Sequence, residues 1–243
     1  MLLFNISMKK ITYLLILILG CNYHYSQTIT VQYDHILLDQ KDQYGVCWKV
    51  KEKLITNNFH SIVYSKAIDT VFFSDILGEI EEKSSEYTPI QYKDLINKIT
   101  YGNSRTKKYN IKDNTYKIKW SIENSRKKIL GYECQSAKGS YRGRTYTAYF
   151  APEIPIQSGP HKFDGLPGLI LEVNSDDGAV KFKAEELKNS NETIENPYLD
   201  KPFISWEQHV EDYKIFFDKI SHYKLDEDAT IITNKRFIEI LVE

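Results

Sequence analysis

Methionine and cysteine are scarce in this sequence, and no long apolar run crosses it. Both methionines, Met1 and Met8, fall in the first ten residues, so the rest of the chain has no thioether for a copper-type site. Only three cysteines occur, Cys21, Cys47 and Cys134. The apolar run at residues 11–19 is nine residues long, well short of the roughly 20 that span a bilayer. A transmembrane span in the mature chain is therefore not expected. Neither sign of charge dominates: 32 Lys and Arg face 33 Asp and Glu, a net charge of −1. Such a balance gives no field for nucleic acid or for an anionic membrane surface. A Gly-x-Ser-x-Gly elbow, a His-Glu-x-x-His pair and a phosphate loop are all missing. His35, His60, His161, His209 and His222 are scattered, with no close pair of ligands, so neither a metal nor a cofactor is expected.

What is present begins with an export signal. Lys9 and Lys10 precede the apolar run, polar residues return at Asn22, and Ser26-Gln27 reads as a cleavage zone. That order is a secretory signal peptide. Residues 1–26 are read as the leader and 27–243 as one domain, exported to a periplasm or cell envelope. Cleavage before Gln27 leaves a soluble protein, although His24 is a poor residue three positions before that cut. The alternative is lipidation at Cys21, since Ile18-Leu19-Gly20-Cys21 has the small residue that a lipobox places before its cysteine. Losing the leader removes two lysines and no acid, which leaves a net charge of −3. In an oxidising compartment Cys47 and Cys134 are a candidate disulfide. Two separately buried thiols are the other reading.

Abundant tyrosine and β-branched residues favour strands. Strands are expected at residues 28–33, 47–56 and 61–64, with a short apolar run at 70–73 and a short helix at 91–99, where Leu95, Ile96 and Ile99 share a face. In residues 116–122, Tyr116, Ile118, Trp120 and Ile122 alternate with polar residues, the period of a half-buried strand. Strands at 129–137 and 141–150 read as a hairpin around Lys138-Gly139-Ser140. A second hairpin joins 169–173 to 180–184 through Asp176-Asp177-Gly178. Ser205 reads as a helix N-cap with Gln208 as its capping-box partner. Val210, Tyr213, Phe216, Phe217 and Ile220 then form one core-packing face. A last strand is expected at 230–242. The pattern predicts an α+β, mostly β chain: a curved antiparallel sheet or half-open barrel with one or two packed helices.

Four of the seven prolines lie between Pro152 and Pro167, and Gly159, Gly165 and Gly168 punctuate the same stretch. Such density makes a long connection stiff, and a stiff loop inside a domain is often functional. Ile154, Ile156, Phe163, Leu166 and Leu169 are its expected anchors to the sheet. The stretch resembles the GLPGLI family of bacterial envelope proteins, named for the hexapeptide at residues 165–170. The resemblance runs in order through Trp120, Gly131-Tyr132, Cys134, Ala137, Gly143-Arg144, Tyr146, Ala148, Ile154-Pro155, Gly159-Pro160 and Phe163. It implies export and a shared β-rich core of sheet and loop, but no established activity. It also makes Arg144 the better anion-holding candidate of the Arg142–Arg144 pair. Its strand order is similar to that of periplasmic carriers with a half-open barrel around an apolar ligand, which is an analogy of fold alone.

Three functions follow from these residues. The first is a non-enzymatic, carrier-like protein holding an apolar small molecule in its curved sheet, with the Pro/Gly loop at the mouth. The second is an accessory protein that docks an envelope protein partner through loop 151–170, which needs Phe163 and Leu166 exposed. The third is a hydrolase using His161, Asp164 and Glu172, which needs all three within reach of one another. His161 is otherwise a solvated loop histidine, and Arg142 and Arg144 are cross-strand arginines. Arg144 is expected to bridge to Asp164 or Glu172. The candidate ligand- or partner-binding residues are Arg144, Pro160, Phe163, Asp164, Gly165, Leu166, Pro167 and Gly168. No catalytic residue is assigned.

Overall fold

Alternation decides the architecture. In a computed structural model, which describes residues 27–38, 47–74, 78–80, 86–104, 108–221 and 239, the central strands turn rows of apolar residues to one main core, and Ile55, Ile62, Tyr92 and Tyr198 form a smaller cluster apart from it. The leader with Cys21 lies outside the described residues, as does all of the expected last strand except Glu239. The strands are β1 (Thr28–Leu38), β2 (Cys47–Thr56), β3 (His60–Ser74), β4 (Gly78–Ile80), β5 (Thr88–Asp94), β6 (Ile99–Asn103) and β7 (Asn110–Asp113). Then follow β8 (Lys119–Ile129), β9 (Tyr132–Tyr141), β10 (Arg144–Ala151), β11 (Leu169–Ser175), β12 (Val180–Ser190) and β13 (Phe203–Ser205), and, among the described residues, one helix, α1 (Trp206–Ser221).

Twelve strands form one open sheet in the order β13-β7-β6-β5-β3-β2-β1-β12-β11-β10-β9-β8, with β4 attached to β3. The described pairs are antiparallel except β13 with β7, which is parallel, so the sheet is mixed. Register shifts at Gln32/Tyr33, Lys49/Val50, Val63/Tyr64 and Tyr149/Phe150 mark bulges, which bend strands and tighten their twist. The mostly β, curved fold expected from the sequence is the one observed.

Two expected elements differ. The 91–99 segment is not a helix: Asp94 accepts hydrogen bonds from the backbone N–H and the side-chain amide of Asn97, at 2.9 and 2.7 Å. That local bonding turns β5 directly into β6. The β9–β10 turn is Arg142-Gly143, not 138–140. Both turn residues have positive φ, 40° and 86°, the requirement of a tight two-residue hairpin. Gly139 stays inside β9, where a Cβ would come within 2.8 Å of the Trp120 ring. The 169–184 hairpin forms as expected, with φ of 70° at Gly178. Ser205 caps α1 by accepting from Gln208 N at 3.2 Å, but the Gln208 side chain turns to Asp212 and leaves the capping box half made.

Cys134 is a free, buried thiol, so the disulfide with Cys47 is not formed. Sheet order explains this. Strands β1, β12, β11 and β10 lie between β2 and β9, and neighbouring strands are about 4.8 Å apart, whereas a disulfide needs Cα atoms within about 7 Å.

Candidate functional site

The Pro/Gly loop fills the concave face of the sheet instead of guarding its mouth. Phe163 is fully buried and meets Tyr146 and Phe182 edge-on, with ring centroids 4.8 and 5.7 Å away. Burying such a ring contributes roughly 1.5–3 kcal/mol. Leu166 and Leu169 are buried beside it. Lys93, fully buried on β5, donates to the carbonyls of Gly159 at 3.0 Å and Phe163 at 3.3 Å. Tyr33 donates to Ile170 O at 2.7 Å, and Trp120 Nε1 donates to Asp164 O at 2.8 Å. The loop is therefore stapled to β1, β5 and β8 through its own backbone. Burial pushes the Lys93 ammonium down to about 8, against the pull of Asp164 and Glu52.

This accounts for most of the candidates read from the sequence. Arg144, Pro160, Phe163, Leu166 and Gly168 are buried, and only Gly165 and Pro167 are exposed. Arg144 Nε, at the start of β10, bridges to Asp177 Oδ2 in the β11–β12 turn at 2.9 Å. The apolar docking surface around Phe163 and Leu166 is spent inside the molecule. Glu172 is bonded to Lys127 at 2.6 Å and to Asn174, with no hydrogen bond to His161 or Asp164. The three hydrolase candidates are thus not assembled into one site.

A cavity of about 360 Å³ lies elsewhere, between the β5–β7 wall and α1. Gln91, Tyr101, His161, Trp206, His209 and Tyr213 line it. Its floor is a buried charge network. Arg142 grips Asp113 with both guanidinium nitrogens at 2.9 Å, the paired geometry that makes such bonds strong. Lys162 reaches Glu239 at 2.5 Å and Asp113 at 3.3 Å. Glu239 Oε1 also accepts from Tyr141 at 3.0 Å and Arg142 at 3.2 Å. Burial alone would raise the Asp113 and Glu239 carboxyls; the cations outweigh it and hold both below the usual carboxylate range. Two cations and two anions cancel, and Trp206 covers them. Its ring lies 3.7 Å from the Arg142 guanidinium and 3.9 Å from the Lys162 ammonium. The parallel β13–β7 pairing delivers Trp206 there at the start of α1.

Two residues that line this cavity each hold a buried polar atom with no hydrogen-bond partner among the described residues. Gln91, 2% exposed, donates through Nε2 to Thr100 Oγ1 at 2.6 Å and leaves Oε1 unpaired. His161 leaves Nδ1 unpaired. It is not a solvated loop histidine: burial pushes its imidazole down to about 4, against Glu52 and Glu239, so it is neutral near pH 7. Its φ of 44° is a left-handed conformation uncommon outside glycine. Strain of this kind collects at functional positions. The sequence carries no local mark for Gln91, Asp113, Lys162 or Glu239. Trp206, directly after a helix cap, was the one visible signal.

Fold and site together define a mostly β protein: one open, curved sheet plugged by its own loop, with a small polar-bottomed cavity beside its helix. Residues 141–172 match the model of a family described as a protein of unknown function (Porph_ging). The match covers the second half of the stretch that carries the sequence resemblance. No curated protein matches the chain. Among solved structures the chain is similar to PNGF-II in two crystal forms. In the P21 form the TM-score is 0.51 at 17% identity, covering 79% of this chain and 33% of that one. In the C2 form it is 0.50 at 17% identity, covering 84% and 36%. The chain thus spans about a third of the length of these structures. At this identity the likeness is one of fold.

Proposed function

We propose that the chain is an exported cell-envelope protein of the GLPGLI type. In this reading it binds an uncharged, largely apolar small molecule in the cavity beside α1. The carrying observation is the unpaired Gln91 Oε1 on a residue that lines a cavity walled in part by Ile90, Tyr101, Ile111, Trp206 and Tyr213. A buried acceptor left without a donor costs roughly 1–3 kcal/mol, which a ligand N–H or O–H would recover. Its volume, about 360 Å³, lies within the range of small-molecule sites, roughly 300–1,000 Å³. The charge network below is self-cancelling and His161 is neutral, which disfavours an ionic ligand. The ligand site is thereby moved from the concave face, where Tyr33, Tyr146, Phe150, Phe163 and Phe182 pack as core. The basic and apolar leader and the family resemblance support export.

The test is to express the chain with its leader and compare native with denaturing masses of the purified protein, alongside Gln91→Leu. A bound mass that disappears on denaturation, and is missing from the variant, is the expected result. An apo mass for the wild type, with no quenching of Trp206 fluorescence by any uncharged apolar probe, would sink the reading. The same spectrum reads a start at Gln27 or a lipid on Cys21.

A further inference from the structure

The outer side of the same loop borders a second cavity of about 560 Å³, lined by Leu95, Ile96, Lys98, Tyr116, Lys117 and Asp164, among others. Asp164 is fixed there by its backbone bond to Trp120. Its Oδ2 is buried and has no hydrogen-bond partner, with Lys93 Nζ 3.8 Å away, beyond bonding distance. Burial raises the carboxyl above its ordinary range, against Lys93 and a hydrogen bond from Tyr116. Lys98 and Lys117 are both exposed at the rim and have no bonded partner among the described residues. Lys98 is held at the edge of the β5–β6 turn with φ of 56°. Ile96, 61% exposed, and Leu95, Ile118 and Pro155 supply an apolar wall.

A simple amine would meet Asp164 but would bring no negative group to the rim lysines Lys98 and Lys117. A simple anion would suit the rim lysines but would put its charge against the Asp164 carboxylate. A ligand with both groups close together meets both demands. We infer that this cavity binds a free α-amino acid with an apolar side chain: its ammonium donates to Asp164 Oδ2, its carboxylate meets Lys98 and Lys117, and its side chain lies on Ile96. Charge-assisted bonds of this kind are the strong ones. The site is independent of the cavity beside α1.

The experiment is a calorimetric titration of the purified chain with leucine, with 4-methylpentanoate, which lacks the amino group, and with 3-methylbutylamine, which lacks the carboxylate. Leucine should bind, and each analogue should bind about tenfold more weakly or worse, the loss of one charged hydrogen bond. Lys98→Ala should weaken leucine by a similar factor with an unchanged Tm, because Lys98 is exposed. Gln91→Leu should leave leucine binding intact, which separates failure here from failure at the first cavity. Asp164→Asn should abolish binding; if that variant does not fold, Lys98→Ala and Lys117→Ala carry the test. Absence of leucine binding at millimolar concentration overturns the assignment. So does 4-methylpentanoate binding as tightly as leucine, or a Lys98→Ala affinity equal to wild type.

Discussion

Gly168 has no room for a side chain, and Gly168→Ala measures how far the hexapeptide serves packing. A Cβ there would lie 2.3 Å from Ala151 O, 2.7 Å from the Ala151 carbonyl carbon and 3.0 Å from Pro152 Cα. All three are backbone atoms, and Ala151 is paired with Leu169 at the end of the β10–β11 ladder. Relief requires the two strands to part, and Ile154 N, which donates to Ala151 O at 3.1 Å, to move with them. Overpacking of this kind costs about 3 kcal/mol, the upper part of its usual range. In a domain of this size each kcal/mol lowers Tm by roughly 2–4 °C, so a drop of about 6–12 °C is expected. Gly165→Ala is the control. Gly165 has φ of 85° and nothing within 4 Å of its notional Cβ, so the cost is conformational alone, about 1 kcal/mol and roughly 2–4 °C. Both variants and wild type are compared by scanning calorimetry and urea unfolding. Equal losses for the two alanines, or a wild-type Tm for Gly168→Ala, would refute the argument from close approach.

Three further outcomes follow from buried groups. Lys93 loses its proton near 8 in the folded chain against 10.5 unfolded. The unfolded state therefore holds the extra proton in between, and stability rises from pH 8 towards 10 by up to about 3 kcal/mol. In Lys93→Met that rise should vanish in urea titrations, and a slope identical to wild type would show that Lys93 is not its source. His161 protonates near 4 folded against 6.5 unfolded, so stability should fall as pH drops between those values, again by up to about 3 kcal/mol. His161→Gln should lack this limb yet still unfold in stronger acid as Asp113 and Glu239 protonate; an unchanged limb would assign it elsewhere. Cys134, buried and with its thiol pushed up to about 11 by burial, should take up maleimide at pH 7 only after denaturation. Peptide mapping that finds rapid native labelling at Cys134 would contradict its burial.

Much of the sheet was legible because its central strands bury one face. The alternation in β10 and β12 appears in the structure as the buried rows Arg144, Tyr146, Ala148, Phe150 and Val180, Phe182, Ala184. The β11–β12 turn was equally plain, since Asp176-Asp177-Gly178 carries its own turn chemistry. Residues 91–99 misled because apolar spacing over so short a run fits helix and strand alike, and the Asp94–Asn97 bonds that decide the matter are local and specific. The hairpin turn was misplaced because Gly139 was read as a turn glycine, whereas its missing side chain makes room for Trp120. The cavity beside α1 was invisible for a different reason. Its residues come from positions 90 to 239, and the β13–β7, β7–β6 and β6–β5 pairings bring the strand residues among them together with the start of α1.

The packing of the loop bears on what the motif can mean. A signature whose residues were a docking surface would leave them exposed, and here Leu166, Leu169 and Ile170 are at most 1% exposed while Gly168 sits against backbone. The hexapeptide is consumed in closing the concave face. A shared hexapeptide therefore argues that two chains plug their sheets in the same way, and says little about what either binds. Three of the groups left with unmet bonding line the two cavities, Gln91 Oε1, His161 Nδ1 and Asp164 Oδ2; all three lie outside the hexapeptide, two of them in the segment just before it. If binding is carried there, a change at exposed Lys98 should alter ligand affinity without touching Tm. Changes at Gly168 or Phe163 should lower Tm and reduce binding only in proportion to the folded fraction.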